Sequence, residues 1–365
     1  MSSAIIDGHF HLSPTRTMSR LENVQDALDV LHACGLQAIC IQNIVLWFPM
    51  HLTRNPLSLL AKLREPDLVF AFGGVRFPDP DLPDKSFSYR QQVEELVKLG
   101  FDGIKLFGKP NIRQRFHEPM DSPVFDGMYD WLEERDIPVL FHVGDPREFW
   151  SEKTAPDFAR QNGWIYTKPD FDTYYSEMEG LLKKHPRLRV LFPHFFFLSD
   201  DLGRLSAFLN RWETVWIDIT PGSEMYRNFT GCPAKAHAFF CEFQNRIVFG
   251  TDNTGVPEGG GQSAVRCARE RLDTMRDFLS GEHAFGWNEA FCGLSLPAAV
   301  CEKIQVSNFY RYIKKRRPAA VDPLAAMGYT EKMRALAADA QDEKLQEEFQ
   351  RILKAYQALL DEWGE

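Results

Sequence analysis

Five short stretches of this 365-residue chain carry side chains that could do chemistry. His9 and His11 stand two apart in I-I-D-G-H-F-H-L. Lys105 lies in G-I-K-L-F-G, His142 in L-F-H-V-G-D-P, His194 in L-F-P-H-F-F and Asp252 in F-G-T-D-N. In an extended strand, residues i and i+2 face the same side, so His9 and His11 can grip one ion together. Neutral imidazoles with a carboxylate suit zinc, or a similar divalent ion such as manganese, nickel or iron. Three or four protein ligands leave a position for water, whose pKa the ion brings toward neutrality. Asp252, touching ion and water, would carry the proton to a leaving group. Each residue alone has an ordinary explanation. An H-x-H arises by chance, interior histidines are commonly core groups, and Asp252 could cap a following helix. The combination carries the argument, because separate segments each deliver the right residue type at the same end.

Those segments need a scaffold that aims them at one place. Nearly continuous apolar runs occur at 4–9, 36–45, 67–75, 101–107, 137–143, 188–194, 214–220 and 246–251. Such runs fit strands buried on both faces, as in a parallel sheet. Helical spacing occupies 21–34, 88–99 (stopped by Gly100), 124–135, 172–184, 199–211, 233–243 and 263–280. Eight strand runs alternating with these helical stretches predict an α/β fold of the (β/α)8 TIM-barrel type, whose active site lies at the C-terminal strand ends. The doubly wound alternative lacks a Gly-rich turn after the first strand. The barrel is expected over 1–317, with a C-terminal helical extension over 318–365. There Leu345, Phe349, Ile352, Leu353, Tyr356, Leu359, Leu360 and Trp363 form a wide apolar stripe. The stripe either packs on the barrel or makes a homo-oligomer contact.

Composition narrows the partners. Apolar residues are 44%, charged residues 25%, and the formal net charge is −9. An acidic surface argues against nucleic acid, and the basic run 314–317 reads as a solvated helix end. No apolar stretch reaches the roughly 18–20 residues of a membrane span, and no secretory leader is visible. Seven cysteines without a C-x-x-C pair suggest reduced thiols and a cytoplasmic protein. A small-molecule substrate is therefore expected. His32, His51, His117, His185, His237 and His283 fall within helices or loops and are read as ordinary residues.

The D-G-H-F-H start, with G-I-K-L, F-H-V-G-D, F-P-H and F-G-T-D following in order, resembles the amidohydrolase superfamily over about residues 4–313. The segment L-S-L-P-A-A-V-C-E-K-I-Q-V-S-N-F-Y-R-Y-I looks like that family's ending. The branch suggested is the amidohydrolase 2 group, which includes aminocarboxymuconate-semialdehyde decarboxylase and related aromatic-acid decarboxylases. The resemblance implies His9, His11, His142 and Asp252 as metal ligands, with Asp252 also the proton shuttle. It implies His194 as a catalytic histidine that activates water or holds a second ion, and Lys105 as a bridge if two ions bind. One zinc-like ion is favoured. The resemblance also shows departures: a short loop from His11 to Leu21 and a long insertion over 145–171.

That insertion carries Phe149, Trp150, Trp164 and Tyr166, which form either an aromatic lid over substrate or a small core beneath the loop. Arg76 and Arg147 could grip a substrate carboxylate, and Trp150 could stack on it, although Arg147 could equally pair with Asp145. Asp7 and Asp218 are read as supporting hydrogen-bond groups. Two reactions share this ligand set. One is hydrolysis of an amide, lactone or ester by a metal-activated water. The other is metal-dependent, non-oxidative decarboxylation of a small aromatic or dienoic acid. A non-catalytic binding protein is disfavoured, since buried His and Asp without a function are costly.

Overall fold

The computed structural model describes residues 4–78, 87–116, 118–222, 224–254 and 262–364. The strands are β1 (Ile6–Phe10), β2 (Ala38–Gln42), β3 (Val69–Gly74), β4 (Gly103–Gly108), β5 (Val139–Val143), β6 (Val190–Phe192), β7 (Val215–Asp218), β8 (Ile247–Val248), β9 (His283–Gly286) and β10 (Glu289–Cys292). The helices are α1 (Leu21–Ala33), α2 (Arg54–Arg64), α3 (Tyr89–Lys98), α4 (Pro110–Phe116), α5 (Asp126–Glu134), α6 (Asp157–Gln161), α7 (Phe171–Lys184) and α8 (Leu202–Arg211). They continue as α9 (Met225–Gly231), α10 (Pro233–Glu242), α11 (Gln262–Ser280), α12 (Ala298–Glu302), α13 (Asn308–Ile313), α14 (Pro323–Leu336) and α15 (Glu343–Gly364). β1 to β8 form one eight-stranded sheet in sequence order, with helices between the strands, which is the (β/α)8 fold. Every residue of these eight strands is buried, as their apolar runs require.

Contacts divide the chain into two compact units. The first comprises Met1–Lys105, Phe249–Asp273 and Gln305–Glu365. Within it β1 pairs with β2, β2 with β3 and β3 with β4, all parallel. The chain just after β8 returns to β1. Gly8 donates its N–H to Phe249 O (2.9 Å), Asp252 to His9 O (2.8 Å) and His11 to Asn253 O (2.8 Å). Gly100 ends α3 with a φ of +102°, and a Cβ there would collide with the Ala320 carbonyl, so only glycine fits. The second unit comprises Leu106–Val248 and Thr274–Ile304. It holds the parallel pairings of β5 with β6, β6 with β7 and β7 with β8, and the antiparallel hairpin β9–β10.

Two elements differ from the sequence reading. Helix α2 follows β2 where the sequence reading placed no helix, and its residues are almost all buried, the polar Arg54, Asn55, Ser58 and Lys62 included. Strand β8 shrinks to two residues because the chain turns at once into the site.

The C-terminal stripe packs on its own unit. Leu345, Phe349, Ile352 and Tyr356 are fully buried, and Trp363 stays about half exposed (54%). The Tyr356 hydroxyl donates to Pro56 O of α2 at 2.6 Å. Tyr356→Phe removes that extra bond and should destabilise the protein by roughly 0.5–1.5 kcal/mol, read from a urea unfolding curve.

Candidate metal centre

Strand geometry and hydrogen bonds together place the first unit's site residues. β1 puts His9 and His11 on one side, and the pairing of 251–253 with β1 brings Asp252 opposite them. His9 Nε2 and His11 Nε2 are 3.1 Å apart. Asp252 Oδ1 lies 3.2 Å from His11 Nε2 and 3.8 Å from His9 Nε2. Among the described residues this is the group of three metal-type donors close enough to share one ion. His9 and His11 are buried, while the Asp252 side chain is a third exposed (33%).

The donor set fits a cation. His11 Nδ1 donates to Gln42 O at 2.6 Å, because a carbonyl can only accept. With its Nδ1 proton given to that carbonyl, a neutral ring would turn a lone pair at Nε2 toward His9 Nε2 and the Asp252 carboxylate. Electron-rich atoms crowded in a buried place repel unless a positive charge joins them. Gln42 is itself fixed by donating to Gly8 O at 3.1 Å.

Asp7 ties the two segments together. Its Oδ1 accepts from the His9 N–H (3.2 Å) and the Thr251 N–H (3.0 Å), and its Oδ2 from the Thr251 hydroxyl (2.5 Å). Burial raises its pKa to about 6, against the pull of these donors and of Arg271. Arg271 donates to the Thr251 and Asp252 carbonyls (2.8 and 2.9 Å). Asp252 itself is left-handed (φ +55°), a conformation that Asp and Asn tolerate better than most residues. Lys105 is buried on β4, in register with Gly74.

The short loop after β1 is fastened from below. Arg54, buried without a carboxylate partner among its hydrogen bonds, donates to the carbonyls of Ile44, Pro14, Thr15 and Thr17. His51 Nε2 donates to Thr15 O (2.7 Å), and His51 Nδ1 accepts from the Leu46 N–H. Burial first, and the Arg54 charge second, lower the His51 pKa to about 3. A histidine depressed in the folded state takes up its proton more readily when unfolded. Stability should therefore fall as pH drops from about 6.5 toward 3, by up to roughly 1.4 kcal/mol per pH unit. Chemical unfolding across that range should show a shallower acid limb in His51→Gln.

The second unit assembles the other histidines. His142 ends β5, and its ring centroid lies 4.9 Å from that of His194. His194 opens a turn, His194–Phe197, in which four successive side-chain-bearing residues have φ of +52° to +56°. Left-handed turns of this kind cost about 1–2 kcal/mol per residue. Packing holds this one: Phe195, Phe196 and Phe197 are buried, and the Tyr175 hydroxyl donates to Phe196 O at 3.0 Å. The His194 N–H donates to Asp218 Oδ1 at 2.8 Å, and burial raises the Asp218 pKa to about 6.

The substrate-contact candidates are partly engaged elsewhere. Arg147 pairs with Asp200 (2.8 Å) and lies over Phe171, not with Asp145. Lys109 and Tyr166 hold the Asp145 carboxylate instead. Trp150 donates its indole N–H to Pro169 O (2.9 Å) and packs with Trp164 on a small core of Phe149, Ala159 and Tyr166. The insertion thus has its own apolar core. Arg76 lies over the Phe87 ring, with its backbone N–H on Gln92 Oε1. His117 lies outside the described residues.

A family model described as amidohydrolase, the amidohydrolase 2 group, matches residues 6–308. This chain belongs to that family. No curated protein matches it at a significant level. Solved structures similar to this amidohydrolase include 2,6-dihydroxybenzoate decarboxylase from Rhizobium, at 16% identity and TM-score 0.52, covering 86% of this chain and 99% of that one. The apo form of Metarhizium anisopliae IDCase shares 14% identity at TM-score 0.51, covering 86% and 98%. An uncharacterised TIM-barrel protein from Bordetella bronchiseptica shares 14% identity at TM-score 0.51, covering 86% and 99%. At these identities the likeness establishes the barrel fold of the amidohydrolase. Gln42, Arg54 and Lys109 escaped the sequence reading. A glutamine ending a strand gives no motif, although G-K-P directly after G-I-K-L-F could have pointed to Lys109.

Proposed function

We propose that this amidohydrolase is a metal-dependent, non-oxidative decarboxylase of a small aromatic or dienoic acid. The convergence of His9 Nε2, His11 Nε2 and Asp252 Oδ1 carries the metal requirement. The decarboxylase named among the structural neighbours favours this chemistry over hydrolysis. His142 and His194 enter as the family resemblance assigns them, as a metal ligand and a catalytic histidine. A divalent cation bound there would act as a Lewis acid toward the carboxylate and hydroxyl oxygens of the acid. In the reaction the bond from ring carbon to carboxylate breaks, its electron pair stays on carbon, and a proton replaces the departing carbon dioxide. Asp252, beside His9 and His11 and a third exposed, would hand over that proton. Arg76 or Arg147 would steady the acid's charge. Hydrolysis is the second reading, favoured by the same exposed Asp252, which could relay a proton from water to a leaving group.

Metal content by mass spectrometry on chelator-free protein, with carbon dioxide release from hydroxybenzoates set beside hydrolysis of simple lactones and esters, tests both readings. About one equivalent of divalent metal with carbon dioxide release is expected. Lactone or ester turnover without carbon dioxide would overturn the decarboxylase. A wild type that binds no metal after reloading would overturn both.

A further inference from the structure

The second unit holds a buried charged cluster that the proposed reaction does not use. Asp145 follows His142 by three residues, past Gly144 with its φ of +78°. Its Oδ1 lies 3.2 Å from Lys109 Nζ and 4.0 Å from His142 Nε2, and its Oδ2 accepts the Tyr166 hydroxyl at 2.7 Å. The Lys109 ammonium is 3.5 Å from the centre of the Trp164 ring. Asp145 thus faces the Lys109 ammonium on one oxygen and the Tyr166 hydroxyl on the other. The result is a charged carboxylate that three different segments keep still.

A fixed anion facing one ring nitrogen selects the imidazole tautomer, since the proton prefers the nitrogen nearer the charge. At 4.0 Å no full hydrogen bond forms, but a charge in a low-dielectric interior still acts strongly at that distance. We propose that Asp145 is the positioning residue of His142, keeping the ring proton on Nε2 and presenting the Nδ1 lone pair as the ligand atom. This rests on the reading of His142 as a metal ligand. Lys109 and Tyr166 act through Asp145, so the insertion after β5, through Tyr166, is tied to the ligand it follows. His11 does the opposite: its Nδ1 is engaged by Gln42 and its Nε2 is presented.

Long-range proton–nitrogen spectra of the full-length, metal-free protein labelled with 15N-histidine would report the tautomer near pH 8, with His142→Gln assigning the signals. The wild type should show Nε2–H. Asp145→Asn should lose that preference and bind zinc about 10–100-fold more weakly in competition with a chromophoric chelator. An Nδ1–H tautomer in the wild type overturns the proposal, whether or not Asp145→Asn folds. Unchanged tautomer and zinc affinity in folded Asp145→Asn overturn it as well. Unchanged zinc affinity in His142→Gln instead overturns the ligand role beneath it, which separates the two failures.

Discussion

Asp252→Asn should lower turnover by roughly 10²–10⁴-fold while leaving the fold intact. The carboxamide keeps the side chain's shape, and asparagine accepts the left-handed backbone that Asp252 adopts at φ +55°. The backbone bonds of this segment, Asp252 N–H to His9 O and Arg271 to the Asp252 carbonyl, do not involve the carboxylate and persist. What is lost is the negative charge 3.2 Å from His11 Nε2, and with it one candidate metal donor and the proposed proton carrier. Steady-state kinetics, metal analysis and thermal melting on the same preparation check this. Full activity with normal metal content would remove Asp252 from the mechanism. Loss of activity together with a large drop in melting temperature would assign it to structure instead.

The second large effect is on stability. Asp102, which precedes β4, has no exposed side-chain surface. Its carboxylate binds the Lys62 ammonium and accepts the N–H groups of Ala71 (3.0 Å) and Ala319 (2.7 Å). Lys62 also donates to Gly100 O at 2.6 Å, and burial lowers its pKa despite the Asp102 charge. Asp102→Ala would strand a buried ammonium and two buried N–H groups, and would release the segment at Ala319 that leads into α14. Breaking one side of a buried pair typically costs 3–5 kcal/mol, which should appear as a shifted urea midpoint. Lys62→Met combined with Asp102→Leu should recover part of that loss, because neither charge is then left alone in the interior. A shift below about 1 kcal/mol for Asp102→Ala would mean that water reaches the site.

Much of this was legible in the residue order. Apolar runs buried on both faces marked the strands, and their C-terminal ends offered His9, His11, His142, His194 and Asp252 as candidates, of which the geometry brings His9, His11 and Asp252 together. Side-chain alternation along β1 was enough to place His9 and His11 on one side. Helix α2 was not read from the sequence: Arg54, Asn55, Ser58 and Lys62 share one face, but that face is buried against other segments, which only the tertiary structure shows. The partners of Asp145 were not legible either: Arg147 is near in sequence, but Lys109 and Tyr166 reach the carboxylate through space. The same holds for Arg54 on four carbonyls and for Lys62 with Asp102. Local order determines which residue types end each strand, because pleat and periodicity are properties of neighbours along the chain. Only the tertiary structure decides which lone pairs face one another and which charges are held, because those depend on distances between segments far apart in sequence.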